Sequence, residues 1–137
     1  MQSYTQRKEV AEAIDAADVA LAHLGTAREY LNSAGNWGII DIFGGDLLTN
    51  LIKHGKMRKA ERAISDARVA LATFSRELRD VEGLSSIHID EFLTFADFFF
   101  DGLIADIWVQ SKIKQAKAQC DEAIRRVSEI RTKLTYL

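Results

Sequence analysis

Apolar residues recur along this chain at the three- and four-residue spacing of helices, interrupted in two places. The first run places Val10, Ile14, Ala17, Leu21, Leu24 and Leu31 on one line, with Arg28 as its single break. Ser3 and Gln6 have the spacing of a capping box, so a helix is expected to begin there. It is expected to stop near residue 33, because NSAGNWG holds two glycines and two asparagines in seven residues. Gly25 should weaken this helix by about 1 kcal/mol relative to alanine. A second run, Met57, Ala60, Ile64, Ala67, Leu71, Phe74, Leu78 and Val81, alternates three and four without error, and Gly83 lies where a left-handed terminator belongs. A third, Ile113, Ala116, Cys120, Ala123, Val127, Ile130 and Leu134, is flanked by lysines and arginines.

The pattern predicts an all-α fold in one domain, residues 1–137: an elongated antiparallel bundle of three long helices (about 4–33, 46–82 and 90–135) with coiled-coil-like packing, Gly102 and Ser111 being the places where the third could kink or break. The short connection at 84–90 makes the last two helices antiparallel neighbours. Between the first and second helices, Ile39–Phe43 precede Gly44 and Gly45, and Asp46 is a natural N-cap. That segment is too apolar for a solvated linker. It suits a loop tucked over one end of the bundle, or a partner-binding element that acts with Trp37.

The segment 92–109, FLTFADFFFDGLIADIWV, departs from periodicity because it is apolar on nearly every side yet contains Asp97, Asp101 and Asp106. Its length approaches that of a membrane span, but each central aspartate would cost about 2.5–3.5 kcal/mol there, so no transmembrane segment is expected. A helix apolar all round must be covered all round, and two neighbours leave part of it bare. A homodimer is therefore expected, with Phe92, Phe95, Phe98, Phe99, Phe100, Ile104 and Trp108 at the interface. The aspartates are expected to meet basic residues of the second helix and so fix alignment. The alternative is a small-ligand or divalent-metal site made by Asp46, His54, Asp97 and Asp101.

Charge sharpens this picture. The net charge is -2, but acidic against basic residues number seven to three over 1–52, four to eight over 53–80, six to none over 81–109 and three to seven over 110–137. Such alternating blocks favour helix alignment over a general affinity for nucleic acid, and none is expected as a partner. Proline is absent, as suits long helices. The single cysteine, Cys120, rules out an internal disulfide, falls on an apolar seam, and fits a reducing, cytoplasmic setting. The N-terminus has no signal-peptide core, and peripheral membrane contact through Ile39–Phe43 is a minor option.

No Glu-x-x-His pair, His-Glu-x-x-His, Gly-x-Ser-x-Gly or phosphate-loop motif occurs, so no cofactor and no enzymatic activity are expected. What remains is a non-enzymatic, self-associating helical interaction or scaffold protein.

Overall fold

The structure, a computed structural model, describes residues 4–43, 56–81, 83, 86–99 and 110–137, with side chains over 4–32, 59–81, 83, 89–99 and 113–137. Every element among these residues is helical. In chain order they are α1 (Tyr4–Phe43), α2 (Lys56–Arg79), α3 (Ser86–Asp97) and α4 (Gln110–Thr135).

The 40-residue α1 is the spine, about 60 Å long at 1.5 Å per residue. Both α2 and α4 pack along it, and α3 packs on α2. Paired side chains give the directions. Arg28 meets Asp121 and Asp18 meets Arg131, so α4 runs antiparallel to α1. Residues 12–23 of α1 line one groove with 66–77 of α2, and Gly83, just past the end of α2, lies beside Gln6 near the start of α1, so α2 is also antiparallel to α1. Phe74 of α2 meets Phe92 of α3 with ring centroids 5.4 Å apart and planes at 68°, an edge-to-face contact.

The buried seam of α1 is Val10, Ala13, Ala17, Ala20, Leu24, Ala27 and Leu31, an unbroken three–four alternation. Ile14 and Leu21, expected on this line, only pack against its edge. The line runs through alanines because small side chains let two neighbouring helices approach one spine closely. Arg28 is therefore no break in the seam; it lies beside Ala27 and reaches across to α4. The seams of α2 and α4 are buried as the spacing predicts, from Ala60 through Val81 and from Ile113 through Leu134, with Ala63 and Ala70 added to the first. Ser75 is the one buried polar residue among those described, and its hydroxyl donates to the Leu71 carbonyl at 2.9 Å.

Three boundaries differ from expectation. First, α1 continues through NSAGNWG to Phe43, so the backbone of Trp37 and Ile39–Phe43 is helical and not a loop. Glycine only weakens a helix, whereas proline would have broken it, and the chain has none. Second, α2 ends at Arg79 through short turn bonds (Asp80 N–H to Glu77 O, 3.2 Å; Val81 N–H to Leu78 O, 3.1 Å). Gly83, with φ +98°, takes its left-handed conformation beyond these bonds, in the connecting turn. Third, the expected rod 90–135 is two helices, so four helices are described and not three. The Phe98 amide is shared between Thr94 O (3.3 Å) and Phe95 O (3.2 Å), and Phe99 N–H bonds Ala96 O at 3.3 Å, which tightens the end of α3. The chain itself covers part of its most apolar segment, with Phe92 against Phe74 of α2 and Phe95 beneath Arg126 of α4. The start expected for the second helix, 46–55, lies outside the described residues.

Candidate functional site

Two surface grooves hold the features that packing does not use up. The first lies between α3 and α4. Along α3, Phe92 and Phe99 are seven residues, almost two full helical turns, apart, share a face, and are buried to 1% against the chain's own core. Phe95 stands between them, half-buried, its ring 6.1 Å from that of Phe99. Phe98, a quarter-turn away, is 65% exposed. Opposite, the Arg126 guanidinium of α4 sits over the Phe95 ring, 4.7 Å from its centroid. Asp90, Glu91 and Thr94 complete the rim of a groove of about 900 Å³.

Arg126 is held in place from its own helix. Its Nε donates to Glu122 Oε1 at 2.8 Å, and Arg125 donates both to Glu122 at 2.5 Å and to Glu129 at 2.6 Å. Hydrogen bonds from these two arginines favour the carboxylate and lower the Glu122 pKa to about 2. The cluster is thus a fixed, charged wall on one side of an aromatic floor.

The second groove, about 600 Å³, lies between α1 and α2. Its floor is Ala16 and Ala70 with Val19 and Val69, which are 53% and 64% exposed. Glu12, Asp15, Asp66 and Glu77 line the groove with it, as do His23 and Thr73. Lys8 lies 4.0 Å from Glu12, and Arg76 donates to Thr73 Oγ1 at 3.4 Å.

The residues singled out by sequence fall differently. Phe92 and Phe99 are already covered within the chain, Phe95 partly so, and Phe98 is left open. Phe100, Ile104 and Trp108 lie outside the described residues, as do Asp46, His54, Asp101 and Asp106. Asp97 is exposed where burial was expected, and it forms no ion pair among the described residues; the basic residues 53–58 at the start of the second helix lie outside the described side chains. Nor do the described ion pairs between helices join the basic block of α2 to the acidic block of α3. They join α1 to α4: Arg28 to Asp121 at 2.5 Å and Arg131 to Asp18 at 2.6 Å, with Lys117 donating to Asn32 Oδ1 at 3.2 Å on the same register.

Cys120 is fully buried on the α4 seam, and burial pushes its thiol up to about 12. It is a small core residue, not a nucleophile. Among the described residues, no three His, Cys, Asp or Glu side chains converge as a metal site, and no helix is long and apolar enough to cross a membrane.

Sequence reasoning passed over Val19, Val69 and the Glu122 cluster. The valines were detectable as apolar residues off the seam, each one position from an acidic or basic residue. The cluster was detectable as Glu122, Arg125, Arg126 and Glu129 at helical three- and four-residue spacings. No family model, curated protein or solved structure matches this chain.

Proposed function

We propose that the chain is a non-enzymatic helical interaction protein that self-associates through the groove between α3 and α4. The observation that carries this reading is Phe98, a phenylalanine 65% exposed at the mouth of a groove floored by Phe95 and Phe99. Burying an aromatic of this size contributes about 1.5–3 kcal/mol when complete, and an open one beside two others is an anchor in search of a partner. A second copy suits the groove because its walls carry both signs. Asp90 and Glu91 stand on α3 and Arg126 on α4, so a twofold axis sets the acids of one copy against the cation of the other. Trp37 and Ile39–Phe43, on the far part of α1, are the proposed contact for a further protein partner.

Sedimentation velocity tests the self-association. The expected result is a dimer whose population rises with concentration, and a Phe98→Ser variant that sediments as monomer and keeps the helical content of its parent. A chain that stays monomeric at high micromolar concentration, or a Phe98→Ser variant that dimerises like its parent, would overturn it.

A further inference from the structure

The groove between α1 and α2 lies on other faces of the bundle and is chemically unlike the aromatic one. We infer that it is a second docking surface, which takes a cationic amphipathic helix from another protein. Val19 and Val69 line this groove from the two helices, 53% and 64% exposed, and are among the largest apolar side chains left open on α1 and α2. The alanine floor between them leaves a trough where a helix can seat one row of leucine-sized side chains.

Charge selects the occupant. Four carboxylates, Glu12, Asp15, Asp66 and Glu77, line the groove with the valines, and His23 is the one imidazole among its lining residues. Among the described residues, Asp15, Asp66 and Glu77 form no ion pair, and Glu12 has only the 4.0 Å approach of Lys8. The two bordering cations, Lys8 and Arg76, both stand toward the Glu12–Glu77 end, so the valine centre faces Asp15 and Asp66. An apolar strip among carboxylates is the complement of a helix with an apolar stripe flanked by lysine or arginine. A second copy fits less well here, because it would set one group of carboxylates against another. This surface goes beyond the self-association proposed above and does not depend on it.

The test uses a fluorescein-labelled helical peptide of lysine, leucine and alanine, about 18 residues or five turns, with its leucines on one face. Fluorescence anisotropy against the full chain should give saturable binding that weakens as salt rises. The Val19→Ser/Val69→Ser variant should bind at least about tenfold more weakly, and so should Asp15→Asn/Asp66→Asn, which also flattens the salt dependence. All four residues are exposed, so both variants should melt with the parent, and the aspartate pair serves if the serine pair does not fold. Phe98→Ser should bind the peptide like the parent, so a failure of self-association leaves this result standing. A scrambled peptide of equal composition binding equally well would overturn the proposal, as would either double variant binding at parental affinity. Loss of self-association in the valine variant would also overturn it, by placing a second copy in the groove.

Discussion

Two glycines in this fold should respond to the same substitution with opposite sign. Gly25 lies inside α1, between buried Leu24 and exposed Thr26, and a Cβ added there meets nothing within 4 Å. Alanine removes the conformational freedom that glycine has in the unfolded chain and asks nothing of the folded neighbours. The gain is about 0.8–1 kcal/mol, the helix-interior difference between the two residues. Gly83 has φ +98°, a region L-residues disfavour by about 1–2 kcal/mol. A Cβ there also comes to 3.3 Å from Gln6 Nε2 and 3.4 Å from Leu137 Cδ2. The Gln6 amide is the end of a flexible side chain and can give way, so the backbone term decides the loss. At about 2.1 cal/mol/K per residue, 1 kcal/mol corresponds to roughly 3–4 °C for 137 residues. Gly25→Ala should therefore melt about 3 °C higher, and Gly83→Ala about 3–7 °C lower. Urea unfolding should give the same order of stability with parental slopes. A Gly25→Ala variant no more stable than its parent would refute continuous helix with open space at residue 25. A stabilised Gly83→Ala would refute the left-handed turn.

Two further outcomes follow from titrating groups. The Glu122 pKa is depressed to about 2 by Arg125 and Arg126, so its pairing stabilises the fold above the ordinary carboxyl range and is lost as pH falls from about 4.5 toward 2. With its side chain 36% exposed, solvent screening keeps the contribution below about 1 kcal/mol. Glu122→Gln should flatten the melting-temperature slope over that window and leave it unchanged above pH 6, and a parental slope would count against the pairing. Cys120, buried with its thiol near 12, should react with a disulfide reagent at neutral pH only as fast as the chain unfolds, and at once in denaturant. Immediate reaction in the native state would place it at the surface.

Much of the fold was legible because periodicity reports burial directly. On α2 and α4 every described seam position is buried, since there the large apolar residues and the contact line coincide. On α1 they separate. Hydrophobicity favours Ile14 and Leu21, while close approach favours Ala13, Ala20 and Ala27, and only the packed structure decides between them. The end of α3 was illegible for a related reason. Residues 92–109 contain no proline to mark a stop, and α3 ends at Asp97 in short turn bonds at Phe98 and Phe99 that no local residue pattern announces. Of the aromatic positions marked by sequence, burial separates Phe92 and Phe99 from Phe98, which spacing alone cannot do. The α1–α2 groove was hidden because a surface valine looks like ordinary noise until a second one is found lining the same groove.

The spine arrangement also sets an order of events when the chain is made. Arg28 and Asp121 are 93 positions apart, and Asp18 and Arg131 are 113 apart. At about 5–20 residues per second, the ribosome takes roughly 5–20 s to reach Asp121 after Arg28 has emerged. About halfway through that interval α2 is complete and available to α1, while α4 is not. A nascent α1–α2 hairpin therefore waits with half of its alanine line bare, at the stage where the newborn chain most needs shelter from its neighbours.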